Sequence, residues 1–123
     1  MPTKILVVDD TPDARELMAS ILGLEQFEVV MAADGVEGIE LARSESPDLI
    51  ITDLTMPRLP GLEMIHRLRE MPEFKTVPIL AVTSTGMERA VEAIKAGANR
   101  ALARPIENHL LLAFVFDLLK KDE

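Results

Sequence analysis

At 123 residues the chain has room for one domain around a single core, residues 1–123, and none for a second. A composition 48% hydrophobic and 28% charged describes a globular chain, and no apolar run approaches the roughly 20 residues of a membrane span. The formal charge of −8 argues against direct nucleic-acid binding, because such a surface repels phosphates, but it suits a protein that holds a cation.

Met1-Pro2-Thr3-Lys4 leads straight into an apolar run, without the long apolar core or small-residue cleavage site of a signal peptide, and cysteine is absent. Both features predict a cytoplasmic protein. Ile5-Leu6-Val7-Val8 is continuously apolar, the mark of a strand covered on both faces, and Asp9-Asp10 ends it. Thr11-Pro12-Asp13 reads as a helix start, with Thr11 as N-cap, Pro12 at the first helical position and Asp13 facing the positive end of the dipole. Leu17, Met18, Ile21 and Leu22 then recur at helical spacing, and Phe27 to Ala32 is predicted as a second strand. Asp34-Gly35 turns the chain into a helix with Val36, Ile39 and Ala42 or Arg43 on one face, closed by Ser46-Pro47.

Leu49-Ile50-Ile51-Thr52-Asp53 is short and β-branched enough for a buried strand, ends on a carboxylate, and runs into the Pro- and Gly-rich loop that closes with Leu59-Pro60-Gly61. Gly61 to Met71 carries Leu62, Ile65 and Leu68 at helical spacing and stops before Pro72. Val77 to Val82 is a fourth buried strand, ending at Thr83-Ser84. Thr85-Gly86-Met87-Glu88 has the form of a capping box, and Ala90, Val91 and Ile94 continue one helical face until Gly97. Arg100 to Ala103 is a short fifth strand, and Arg104-Pro105 turns into a last helix running to about Lys120. Strands and helices in strict alternation predict an α/β fold, a doubly wound five-stranded parallel sheet with five helices. No Gly-rich fingerprint follows the first strand, which removes a dinucleotide-binding half.

The strand ends carry the chemistry. Asp9 and Asp10, Asp53, Thr83 and Arg104 each stand at the C-terminal tip of a strand, the edge where open parallel sheets bind ligands. In the strand order 2-1-3-4-5 the first and third strands are neighbours, so three carboxylates face one crevice and call for a cation; oxygen ligands of this kind suit Mg²⁺. Thr83 and Arg104 are expected on the other side of Asp53, as a hydroxyl donor and a positive charge around a phosphoryl group in transfer to the Asp53 carboxylate.

The ordered set Val7-Val8-Asp9-Asp10, Asp53-Leu54-Thr55-Met56-Pro57 with Gly61, Thr83-Ser84, and Pro105 after a basic residue resembles the receiver domain of two-component response regulators, in its single-domain chemotaxis form, over the whole chain. The resemblance implies a flavodoxin-like receiver fold. Residue by residue it implies Asp53 as phosphoacceptor, Asp10 as direct Mg²⁺ ligand, Asp9 as an acid reaching the metal through water, and Thr55 as a ligand through its backbone carbonyl. Thr83 would be the hydroxyl that moves toward the phosphoryl group on activation, and small Ser84 leaves room for the phosphodonor. It further implies a switch rather than a metabolic enzyme, charged by a histidine kinase or phosphotransfer protein, with slow self-dephosphorylation influenced by Thr55 and Thr85.

Two positions depart from the family pattern. Arg104 aligns with the family's site lysine, and its planar fork is larger and less compact as a point charge. Ala101 stands where the family usually has an aromatic ring that swings inward on activation. These departures keep a phosphorylation-independent, receiver-like interaction module as the alternative function. A Mg²⁺-dependent phosphatase with an aspartyl nucleophile would need an acid two residues after Asp53, where Thr55 stands, and flavin binding lacks any Trp or Tyr to stack on the ring.

His66 and His109 are read as solvated side chains, and most methionines as core filler. At about 100° per residue the apolar residues from Leu110 to Leu119 sweep roughly 240° of the last helix, more than one sheet-packed face requires. The excess predicts a downstream partner surface or a homodimer contact on that helix.

Overall fold

In the computed structural model, which describes residues 2–84 and 87–120, the strands are β1 (Lys4–Val8), β2 (Glu28–Ala32), β3 (Leu49–Asp53), β4 (Ile79–Thr83) and β5 (Arg100–Ala103). The helices are α1 (Pro12–Leu24), α2 (Gly35–Glu45), α3 (Gly61–Arg69), α4 (Met87–Ala96) and α5 (Asn108–Lys120), with one 3₁₀ turn at Pro72–Phe74. All neighbouring strands pair parallel, in the order β2-β1-β3-β4-β5. This is the doubly wound order predicted, and β1 and β3 lie side by side.

The unbroken apolar runs of the central strands are sorted by the two-residue period of a strand. Leu6, Val8, Ile50, Ile79 and Ala81 enter the core beneath α2, α3 and α4, with Met64, Ile65 and Leu68 from α3. Ile5, Val7, Leu49, Ile51, Leu80 and Val82 enter the opposite core, with Met18 and Leu22 from α1 and Leu111, Val115 and Leu118 from α5. Among the described residues, no helix is long and apolar enough to cross a membrane.

Local chemistry explains where the observed boundaries differ from those predicted. Phe27 N–H bonds to Leu22 C=O (3.4 Å), closing α1, so β2 begins one residue later, at Glu28. Pro78 has no N–H to give to a ladder, so β4 starts at Ile79, while Pro78 C=O accepts from Ile50 N–H (3.0 Å). α3 ends at Arg69, and Pro72 opens the 3₁₀ turn that the sequence reading missed. Thr11 holds the extended N-cap backbone, but its side chain makes no capping bond; its own N–H donates to Asp9 Oδ1 (2.9 Å). Asp34 caps α2 fully: Oδ1 accepts from Glu37 N–H (2.9 Å), and Glu37 Oε1 reaches back to Ala33 N–H (2.7 Å). Gly97 ends α4 at φ +127°, a conformation glycine adopts freely. The capping box expected at Thr85-Gly86 lies outside the described residues.

At the edge of the sheet opposite the carboxylates, half-buried Arg69 gathers four acceptors. It donates to the carbonyls of Gly97 (2.9 Å), Phe74 (2.6 Å) and Val77 (2.7 Å) and to Asn99 Oδ1 (2.9 Å). Asn99 Oδ1 also takes the N–H of Ile79 (2.8 Å), so this cluster anchors the start of β4.

On α5 much of the apolar excess is used inside the chain. Leu111, Val115 and Leu118 are buried, and Leu112, Phe114 and Leu119 pack at the rim of the core. Phe116 meets Phe27 with ring centroids 5.5 Å apart, and the Arg100 guanidinium lies 5.5 Å from the centre of the Phe114 ring. Leu110 and Phe116 keep 43% and 40% of their surface exposed.

Candidate functional site

The residues singled out at the strand tips converge. Asp9 and Asp10 directly follow β1, Asp53 ends β3, Thr83 ends β4 and Arg104 directly follows β5. The ladder is carried one step beyond the strands: Asp9 N–H bonds to Ala32 C=O (3.1 Å) and Arg104 N–H to Thr83 C=O (2.8 Å). Both residues therefore leave the sheet from a fixed backbone position.

The loop after Asp53 is folded tightly beneath it. Gly61 N–H donates to Leu54 C=O (2.9 Å), and a Cβ at Gly61 would collide with the Asp53 carbonyl oxygen. This turn aims Leu54 N–H (2.7 Å) and Thr55 N–H (3.4 Å) at Asp53 Oδ1. The second oxygen, Oδ2, faces the crevice, 3.9 Å from Arg104 Nη2. Burial raises the Asp53 carboxyl above the usual carboxylate range, with the charge of Asp9 adding to it; the two N–H groups and Arg104 oppose the rise.

One oxygen from each of Asp9, Asp10 and Asp53 lies within 4.8 Å of the other two. Asp9 is buried, Asp53 is partly buried and Asp10 is exposed. The oxygen-only donor set, with two of its carboxylates withdrawn from water and the Asp9 charge disfavouring that of Asp53, fits a small hard dication. Thr55 is exposed at the lip, Thr83 is buried at the base, and Ser84 is exposed beside it. Ala101 is partly buried against the core beneath α4.

Arg104 does not lie where the strand order alone suggested. Rather than standing on the far side of Asp53, its guanidinium reaches across the crevice: Nη2 is 2.6 Å from Asp9 Oδ2. The long stem of arginine makes the reach, and the buried acid offers the stronger anchor. Asp9 is thus held at every oxygen, by Thr11 N–H and Arg104 on the carboxylate, and by Arg15 Nη1 on its carbonyl (2.7 Å). The sequence reading did not single out Arg15; a cation one turn into a helix that follows an acidic pair was the available signal. Arg104 also borders a largely apolar groove of about 490 Å³ between α1 and the start of α5, lined by Leu17, Ile21, Pro105, Ile106 and Leu111 among others.

The family model described as "Response regulator receiver domain" matches residues 5–116. Hybrid signal transduction histidine kinase D of Dictyostelium discoideum is 39% identical over 94% of this chain, which spans only 7% of that protein's length. Chemotaxis response regulator CheY4 of Vibrio cholerae superposes with a TM-score of 0.90 at 32% identity, covering 96% of this chain and 99% of that one. The receiver domain of sensor histidine kinase PA1611 of Pseudomonas aeruginosa, solved with magnesium coordinated in its active-site cleft, gives a TM-score of 0.92 at 25% identity, covering 98% and 100%.

Proposed function

From the premise that this chain belongs to the response regulator receiver family of two-component signalling, we propose that it takes a phosphoryl group on Asp53 from a histidine kinase or phosphotransfer protein, in a Mg²⁺-dependent reaction. The observation that carries this reading is the division of labour on one carboxylate. Asp53 Oδ1 is held by two backbone N–H groups while Oδ2 faces the acid-lined crevice.

In this reading Asp53 Oδ2 attacks phosphorus in line with the departing imidazole nitrogen of the donor. The O–P bond forms as the P–N bond breaks, and the imidazole leaves with the bonding electron pair. Asp9, Asp10, Asp53 and the Thr55 carbonyl would hold Mg²⁺, which supplies charge compensation for the phosphoryl oxygens when bound. Thr83 offers its hydroxyl to a phosphoryl oxygen, and Arg104 a cation. The Leu54 and Thr55 N–H groups keep the nucleophile aligned, and Thr55, exposed at the rim, influences access of hydrolytic water together with Thr85, which lies outside the described residues. The phosphodonor protein would sit over the crevice and the groove between α1 and α5; exposed Leu110 and Phe116 on α5 would serve a downstream target or a second copy. The working location is the cytoplasm, and the role is that of a switch rather than a metabolic enzyme.

The test is intact mass after incubation with Mg²⁺ and acetyl phosphate. The expected result is a single phosphoryl adduct that requires Mg²⁺ and disappears in Asp53→Asn. The pairing of Arg104 with Asp9 favours a second reading, a receiver-like interaction module that acts without phosphorylation. An adduct in Arg104→Lys but none in the native chain selects that second reading.

A further inference from the structure

The loop from Leu54 to Gly61 is tied at two points. At its base Gly61 N–H donates to Leu54 C=O (2.9 Å); at its tip the Arg58 guanidinium closes on Asp34, Nε to Oδ2 at 2.9 Å and Nη2 to Oδ1 at 3.1 Å. The tip is an uncommon turn. Leu59 N–H bonds to Pro57 C=O (2.7 Å), which places Arg58 at the centre of a three-residue turn with φ +66°. Such turns are strained, and a long side chain is rarely found in that backbone region, where glycine and asparagine sit more easily. The surroundings hold it there. Leu59 is buried in the core beneath α2, α3 and α4, and a Cβ at Gly35, the first residue of α2, would collide with the Leu59 carbonyl oxygen. Asp34 is itself fixed, because its Oδ1 accepts Glu37 N–H (2.9 Å), so the Arg58 fork meets a carboxylate already oriented by the helix and only 13% exposed.

What this loop carries is the grip on Asp53. Leu54 N–H lies 2.7 Å from Asp53 Oδ1, but Thr55 N–H reaches the same oxygen at 3.4 Å, near the limit of a hydrogen bond, where a small displacement breaks it. Thr55 is exposed, so side-chain packing does not fix it; the ties on either side of it do.

We propose that Arg58 is a positioning residue for the nucleophile: its fork on Asp34 pins the tip of the loop to α2 and so keeps Thr55 N–H on Asp53 Oδ1, with Oδ2 turned to the crevice. The consequence for phosphotransfer rests on the phosphoacceptor reading above, since a carboxylate held by one N–H instead of two turns more freely and presents Oδ2 less often to phosphorus. The effect of Arg58 on Thr55 is a matter of geometry and does not depend on that reading.

The experiment uses the full chain, nitrogen-15-labelled and without metal, and follows the Leu54 and Thr55 amide resonances. Asp53→Ala marks the position of the Thr55 amide without its acceptor. Arg58→Asn removes the fork and keeps a residue suited to the turn; Asp34→Asn keeps the oxygen that caps α2 and removes the charge. In both, the Thr55 amide is expected to move toward its position in Asp53→Ala. Formation of the Asp53 adduct with acetyl phosphate at saturating Mg²⁺, per folded molecule, is expected to slow about three- to tenfold in each, the scale of one lost hydrogen bond. The double variant should be no slower than either single one, because both remove the same contact. Arg58→Lys should recover part of the rate, its ammonium lacking the fork. Arg67→Asn, an equal change of charge at an exposed position of α3, should stay within about twofold of the native rate.

A Thr55 amide unmoved in Arg58→Asn overturns the proposal, as does a native rate in Arg58→Asn, or losses that add in the double variant. Asp34→Asn reads the same contact from its other side, so the test stands if Arg58→Asn folds poorly. Each of these outcomes leaves the phosphoacceptor reading in place while the native chain forms its adduct. A native chain that forms none overturns that reading, and the Thr55 resonance then decides the geometric claim alone.

Discussion

Asp34 and Arg58, 24 residues apart, meet through two parallel hydrogen bonds, Nε to Oδ2 at 2.9 Å and Nη2 to Oδ1 at 3.1 Å. The same carboxylate caps α2 through Glu37 N–H, so one side chain joins a helix start to the loop that follows the Asp53 strand. Asp34→Ala should cost about 1 kcal/mol, the usual scale of a lost N-cap. Arg58→Ala should cost less, because the Arg58 side chain is 60% exposed and its pair is screened. Urea denaturation of both variants checks the order.

The Glu37 N–H bond first, and then Arg58, hold the Asp34 carboxyl below its ordinary value, against the opposing effect of burial. A carboxyl depressed in the folded state stabilises the fold above its unfolded pKa, and that stability is lost as pH falls through the folded value. The native chain should therefore lose more stability than Asp34→Ala as pH falls below about 4. Urea midpoints measured across that window test the sign.

Asp53 behaves in the opposite sense. Burial, and then Asp9, raise its carboxyl above the ordinary 3.8, so the ionised form burdens the fold. Stability is lost as pH rises from that value through the raised one. In EDTA, Asp53→Asn is expected to match the native chain at low pH and to exceed it in stability at neutral pH. Adding Mg²⁺ should narrow or reverse the difference by stabilising the native chain alone, which thermal melts with and without the metal would show.

Gly61→Ala is expected to damage both stability and phosphotransfer, because the new Cβ collides with the carbonyl oxygen of Asp53 itself. A loss of about 2 kcal/mol or more is the scale of such backbone displacement. Acetyl phosphate labelling per folded molecule should fall as well. Labelling that survives undiminished would mean the loop relaxes without moving Asp53.

Arg69→Ala separates architecture from chemistry. It removes the donors to three carbonyls and Asn99 at the edge of the sheet remote from the acids. A loss of about 2–4 kcal/mol is expected, since half-buried acceptors are left unpaired. The Mg²⁺ affinity of the folded fraction should stay at the native value.

The strands, their burial on both faces and the placing of Asp9, Asp10 and Asp53 at strand ends were legible in the sequence because each depends on local pattern, and the convergence of the three acids followed once the doubly wound order 2-1-3-4-5 was assumed. Continuous apolar runs mean doubly covered strands, and a carboxylate after such a run lands at the sheet edge. Features made by two distant segments were not legible. Nothing near Arg104 announces that its stem spans to Asp9, 95 residues away. Nothing near Phe116 announces that Phe27 receives it, which is why α5 looked more exposed in the sequence than it is. Arg69 was read only as part of a helix, although its four acceptors lie on three separate segments. Thr11 erred in the other direction: its residue type is right for a cap, yet its side chain makes no capping bond.

The acids and their counter-charge are also separated in time. A ribosome delivers Asp9 and Asp10 first, Asp53 midway and Arg104 only near residue 100 and beyond, and β5 must dock beside β4 before the guanidinium can meet Asp9. A nascent chain that has emerged only through α4 therefore carries three crowded negative charges with no cation from β5 to offset them.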